Sequence, residues 1–205
     1  MDKGPRGIFI CIEGIDAVGK RTQSAILNSW LNSKGLSTSM ASYPDYGTMI
    51  GKEIRSFLFG AKRYPPEVRA MLYAANRWER KGELEATLAR TDAVIVNRYT
   101  GSNLAYGISN GLPIEWLVNL EAGLPKPDLV LLLDAPPAAL APRRRLNKDT
   151  YERNFELQER ARRAYLKLAE DFGWKVVDAT QGIETTSYAV KSAVSEALAA
   201  RGRTV

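Results

Sequence analysis

The run Gly14-Ile15-Asp16-Ala17-Val18-Gly19-Lys20 constrains this chain more than any other segment. It fits G-x-x-x-x-G-K. The glycines of that pattern let the backbone curl so that several N–H groups converge on one anion, and the lysine adds a full charge. An apolar stretch precedes it, and Ile8–Glu13 reads as a buried strand. Lys20–Ser33 follows with Ile26, Leu27, Trp30 and Leu31 on one helical face. A strand that turns through such a loop into a helix aims the positive end of the helix at bound phosphate. The fold must therefore bring a buried strand end, a tight glycine turn and a helix N-terminus to one place.

The rest of the chain repeats the alternation. Leu36–Tyr43, Ala93–Val96, Leu129–Leu133 and Trp174–Val177 read as further strands. Thr48–Phe59 has helical spacing at Ile50, Ile54, Phe57 and Leu58. Pro65-Pro66 opens a long helix to about Arg90, since proline suits a first turn. Helices are also expected near Ala138–Arg144, Tyr151–Phe172 and Glu184–Ala200. Such alternation argues an α/β fold whose parallel sheet is covered on both faces, with ligands beyond the C-terminal strand ends. Those ends are polar: Glu13, Asn97-Arg98, Asp134 and Asp178.

Composition narrows the chemistry. The 205 residues suit one domain, and no repeat or linker divides them. There is no histidine and a single cysteine, Cys11, so a Ser-His-Asp triad, a histidine-bound metal and an intrachain disulfide are all excluded. Catalysis must rest on carboxylates, Lys, Arg, hydroxyls, backbone N–H groups and a hard cation held by oxygens. The net charge is +6, yet no Lys/Arg run exceeds Arg143-Arg144-Arg145 and no basic tail is present. The excess is read as an offset for small, highly charged ligands, with no nucleic-acid partner expected. The first apolar stretch is too short for a signal sequence or a membrane span, so a cytoplasmic protein with no membrane partner is expected.

Five groups of residues, the phosphate loop among them, carry a family resemblance. They are Glu13-Gly14-Ile15-Asp16 with Gly19-Lys20 and Thr22-Gln23; Tyr43-Pro44 with Thr48, Ile50 and Gly51; Ala75-Asn76-Arg77-Trp78-Glu79; Arg98-Tyr99 with Ser102; and Gly123-Leu124-Pro125-Lys126-Pro127-Asp128-Leu129-Val130. In this order and spacing the chain resembles the thymidylate kinases over nearly its whole length. The resemblance implies a three-layer P-loop kinase fold, with a five-stranded parallel sheet flanked by helices. It also implies one domain over residues 1–205, a lid at about 143–153, and a homodimer. The implied reaction moves the γ-phosphate of ATP to dTMP.

Residue roles follow from the same resemblance. Gly14, Ile15, Asp16, Ala17, Val18, Gly19, Lys20, Arg21 and Thr22 would surround the ATP phosphates. Arg143 would pack on adenine, with Ala179 and Thr180 beside it. Arg77 and Arg98 would grip the acceptor's phosphate through paired donors. Tyr73, one helical turn before Arg77, would stack on thymine. Asp16 would meet the acceptor sugar, with Ser102, Tyr106 and Tyr151 around base and sugar. Asp16, Lys20, Arg98 and Arg143 are the catalytic candidates, since Ala17 and Val18 leave the loop interior without an arginine and the lid must supply one.

Three positions depart from the family pattern. Arg21 stands where a Ser or Thr hydroxyl binds Mg²⁺, Asn97 where an Asp is usual, and Tyr46 where some members have a phosphate-binding Arg. Mg²⁺ is then expected to be held mainly by ATP phosphates and waters, with Asp16 or Glu152 nearby and no certain protein ligand. Two other readings stay open: a kinase of another nucleoside monophosphate such as dUMP, and a nucleotide-binding module without catalysis.

Overall fold

A computed structural model describes residues 6–143, 151 and 154–203. Strands β1 (Ile8–Glu13), β2 (Thr38–Ser42), β3 (Ala93–Asn97), β4 (Leu129–Asp134) and β5 (Lys175–Asp178) form one parallel sheet in the order β2-β3-β1-β4-β5. Helices α1 (Lys20–Ser33), α2 (Met49–Leu58), α3 (Pro66–Trp78), α4 (Lys81–Leu88), α5 (Thr100–Ser109), α6 (Ile114–Glu121), α7 (Phe155–Phe172) and α8 (Ile183–Ala199) cover it, with a 3-10 helix over Pro137–Arg143. This is the expected five-stranded, helix-flanked architecture.

β1 lies at the centre and all six of its residues are buried. Side chains alternate across a strand, so Ile8, Ile10 and Ile12 face the core that holds Leu27 and Leu31 of α1. Phe9 and Cys11 face the other core, with Leu84 and Leu88 of α4 and Tyr99. Each fully buried Ile or Phe contributes about 1.5–3 kcal/mol relative to exposure, which pins β1 and the loop that follows it. Register sets Asn97 beside Ile12, and Asp178 beside Asp134. The polar strand ends thus gather along one edge of the sheet.

Several elements differ from the sequence expectation. The long helix from Pro66 breaks at Glu79–Arg80 into α3 and α4. Arg80 Nε donates to Asp45 Oδ2 at 2.7 Å, and the turn lets Leu84 and Leu88 reach the second core. α5 and α6 were not expected. α5 carries Gly101 and Gly107, which lower helix propensity, and also buries Asn103, Leu104, Ala105 and Tyr106. The segment near Ala138–Arg144 is 3-10 rather than α, and α7 starts at Phe155, where the Asn154 side chain accepts from Leu157 N at 2.9 Å. Most of the expected lid, including Arg144, Arg145, Lys148, Asp149, Glu152 and Arg153, lies outside the described residues.

Candidate active site

The loop after β1 depends on backbone that only small residues adopt easily. Gly14 has φ 137° and Gly19 φ 109°, and a Cβ on Gly14 would sit 2.4 Å from the Leu133 carbonyl oxygen. The chain wraps around its own lysine. Lys20 Nζ donates to the carbonyls of Gly14 at 2.9 Å and Ile15 at 2.6 Å. Above the loop opens a cavity of about 650 Å³. Asp16 through Gln23 form one wall, and Ala179 and the start of α8 form the opposite one. Gly14 and Ile15 lie beneath this wall, with Ile15 buried.

Arg21, which replaces the usual hydroxyl, and Thr22 are both exposed and line this cavity. Thr180 is not in the wall. Its amide and hydroxyl donate to Asp178 Oδ1 at 2.8 and 2.7 Å. Arg143 closes the 3-10 helix, and its side chain lies outside the described residues.

A second cavity of about 240 Å³ opens toward α3 and α5. Asp16, Tyr73, Arg77, Arg98, Ser102, Tyr106 and Tyr151, the whole set expected around the acceptor, all line it. The two cavities share three residues: Asp16, Asn97 and Arg98. A group bound in one can therefore meet a group bound in the other at these side chains.

Arg98 is placed by an unusual backbone. It follows β3 with φ 63°, and its amide donates to the Ile12 carbonyl at 3.0 Å. Its Nη1 donates to the Gly14 carbonyl and to Ser102 Oγ, each at 3.1 Å, and its Nη2 pairs with the Asp16 carboxylate. Beneath it lies Glu13, with no exposed surface. Glu13 accepts from Tyr99 N at 2.7 Å, Ser102 Oγ at 2.7 Å and Tyr165 OH at 3.0 Å. A buried carboxylate with this many donors is an anchor, and it fixes the start of α5 under Arg98.

Asp16 also accepts from Tyr106 OH at 2.8 Å and Gln158 Nε2 at 2.9 Å. Burial pushes its carboxyl up, but Arg98, Lys20 and these two hydrogen bonds outweigh burial and bring it down from 3.8 to about 2. The folded value lies below the unfolded one. The resulting contribution, about 2 kcal/mol, is therefore complete above about pH 4 and lost as pH falls toward 2. Urea unfolding between pH 5 and pH 2 should show that loss in the wild type, and a flatter profile in Asp16→Asn.

Arg77 is held differently. It is 3% exposed, its Nε donates to Glu121 Oε2 at 2.9 Å, and its Nη2 pairs with Glu121 Oε1. Asn103 Nδ2 joins the same oxygen at 2.6 Å. Arg77 lines the smaller cavity and is not among the residues that the two cavities share. Glu121, Asn103, Gln158 and Tyr165 were not singled out from sequence.

The family model described as Thymidylate kinase matches residues 12–190. The chain belongs to the thymidylate kinase family. Among curated relatives, a thymidylate kinase of Arabidopsis thaliana is 36% identical over 190 residues, spanning 93% of this chain and 72% of that protein. A human thymidylate kinase is 36% identical over 182 residues, spanning 87% of this chain and 85% of that protein. The solved structure of Candida albicans thymidylate kinase superposes with a TM-score of 0.80 at 28% identity, covering 96% of this chain and 93% of that one.

Proposed function

We propose that this thymidylate kinase family member transfers the γ-phosphate of ATP to dTMP, giving ADP and dTDP. One observation carries the residue assignment: the phosphate-loop cavity and the acceptor cavity meet at Asp16, Asn97 and Arg98. A phosphate oxygen of dTMP attacks the γ-phosphorus there, and the bond from that phosphorus to the β,γ-bridging oxygen breaks. Such transfer needs alignment and positive charge more than covalent chemistry. Lys20 and the loop amides hold the triphosphate. Arg98 turns from Asp16 to the acceptor's phosphate, leaving Asp16 to accept from the sugar hydroxyl. Ala179 borders the nucleoside end of the ATP cavity, and Arg143 belongs to this reading as the adenine-facing lid residue.

Arg77 takes a revised role. In this reading the acceptor's phosphate lies at the junction, and Arg77 is not among the residues shared there. With its fork closed on Glu121 and Tyr73 one turn away, it serves the base end of the pocket together with Asn103. Tyr73 and Tyr106 supply apolar ring surface, and Ser102 and Tyr151 complete the walls.

The donor set suits Mg²⁺ carried in on phosphates. Among the described residues no group of three or more His, Cys, Asp or Glu could hold a metal alone. Asn97 Oδ1, however, is buried without a partner at the junction. Asn97 and Asp16 would accept from waters of the ion, whose charge offsets that of the phosphates when bound. Asn97→Asp adds a carboxylate and should lower the Mg²⁺ concentration for half-maximal activity about 3- to 10-fold. A Mg²⁺ titration at fixed ATP measures it, and an unchanged midpoint would remove Asn97 from the metal's surroundings.

A homodimer is part of this reading. Met71 and Trp78 of α3 are partly exposed seven residues apart on one face, and Val118 of the neighbouring α6 is exposed too. A cytoplasmic location is also included, in keeping with Cys11 as a free, buried thiol. No helix among the described residues is long and apolar enough to cross a membrane.

The Candida albicans enzyme is described as having broad substrate specificity. That, with Tyr46 at the wall of the acceptor cavity, motivates the second reading, turnover of other nucleoside monophosphates. ADP formation measured across dTMP, dUMP, UMP and dGMP, with and without Mg²⁺, tests both. We expect dTMP to lead by about tenfold or more in kcat/KM. Equal turnover of all four would favour the second reading, and ATP binding without transfer would overturn both.

A further inference from the structure

Gln158, on the first turn of α7, has none of its surface exposed. Its Oε1 accepts from the backbone amide of Asp16 at 3.1 Å. Its Nε2 donates to Asp16 Oδ2 at 2.9 Å and to the Tyr151 carbonyl at 3.0 Å. The partners fix which end is which, since an N–H requires the oxygen while a carboxylate and a carbonyl require the NH₂. One neutral side chain thus ties the phosphate-loop backbone to a carboxylate at the cavity junction. It ties both to the backbone at Tyr151, whose ring stacks on Tyr106 with centroids 5.2 Å apart and planes 7° from parallel.

We infer that Gln158 is a positioning residue. It locks the phosphate loop at Asp16 to the Tyr151–Tyr106 wall of the acceptor pocket, so that donor and acceptor phosphates are held in one alignment. The loop needs such a brace. Gly14, Ala17 and Gly19 all have positive φ, and Lys20 holds the Gly14–Ile15 end through their carbonyls. The next residue, Asp16, takes part in both cavities and receives its backbone contact from Gln158. A displacement of about 1 Å between reacting groups costs roughly 10²-fold in rate, so a brace at this position acts on kcat more than on ATP binding.

The inference rests on the reading that Asp16 serves the acceptor, and the test separates the two. Gln158→Glu keeps an acceptor for the Asp16 amide, but it cannot donate to the Asp16 carboxylate or the Tyr151 carbonyl. It also sets a second negative charge beside Asp16, whose other neighbours are Arg98, Lys20 and Tyr106. We expect kcat/KM for dTMP to fall about 100-fold or more. In Gln158→Glu combined with Asp16→Asn the donor and acceptor are exchanged. The side-chain amide introduced in the loop can now donate to the carboxylate introduced on α7, and the double variant should recover at least about tenfold over Gln158→Glu alone. A side chain that merely fills space would give multiplicative losses and no recovery.

Gln158→Met, which keeps the volume, decides the matter if the glutamate variant fails to fold. A loss in kcat of about 30-fold, with ATP affinity within about twofold of wild type, supports the inference; kcat within about threefold of wild type overturns it. If Asp16→Asn alone leaves the KM for dTMP unchanged, the acceptor-site reading has failed. If Asp16→Asn raises that KM and the exchanged pair shows no recovery, only the role of Gln158 has failed.

Discussion

Arg98→Met is expected to lower kcat/KM for dTMP by about 10³-fold while the protein stays folded and still binds ATP. Removing one preorganised donor at a site of developing charge costs about 10²–10³-fold, and a full guanidinium at a transferring phosphoryl group reaches about 10³–10⁵. Arg98 supplies both a charge and a planar fork where, among the described residues, the two cavities meet. Arg98→Lys keeps the charge without the fork and should retain part of the activity, about tenfold below wild type. The methionine variant also leaves Asp16 with Lys20, Tyr106 and Gln158 but without its guanidinium. The folded Asp16 carboxyl should then titrate closer to its unfolded value, so its contribution to stability shrinks and less stability is lost on acidification than in the wild type. Steady-state kinetics on dTMP, with ATP binding measured separately, decide the matter. A methionine variant within tenfold of wild type would mean that another cation, not Arg98, meets the phosphate.

What could be read from sequence was local. The Gly14–Lys20 turn is legible because two glycines and a lysine at fixed spacing encode one backbone shape. β1 and α1 were read with the bounds the structure has, since residues 8–13 are continuously apolar up to Glu13 and α1 carries a clear stripe. α5 was not legible. Its two glycines, Gly101 and Gly107, lower helix propensity in a segment of ten residues. The break at Arg80 depends on Asp45, 35 residues earlier, which no periodicity can report. Gln158 reaches Asp16 across 142 residues, and Arg77 reaches Glu121 across 44, so their partners follow only from the assembled sheet and helices. Thr180 did leave a signal: an Asp two residues before a Thr commonly captures that residue's amide, and Asp178 does so here.

The Arg77–Glu121 pair predicts the largest stability effect. Both side chains are nearly dry, at 3% and 7% exposure. A buried pair adds little net stability as a unit, but removing one partner strands the other charge and costs about 3–5 kcal/mol. Glu121→Leu should therefore lower the unfolding free energy by about that amount, and the melting temperature by roughly 10 °C, in a chain of this length. Asn103 would lose an acceptor at the same time, which adds to the cost. Arg77→Met combined with Glu121→Leu removes both charges and should recover most of the lost stability, as urea unfolding of the four variants would show. Activity should not follow stability. The double variant has lost the side chain that Arg77 presents to the acceptor cavity. Its KM for dTMP should therefore remain raised about tenfold or more while ATP binding is unchanged. Recovery of both properties together would mean that Arg77 only braces α3 against α6. Recovery of stability alone places Arg77 on the acceptor and makes Glu121 the residue that holds it there.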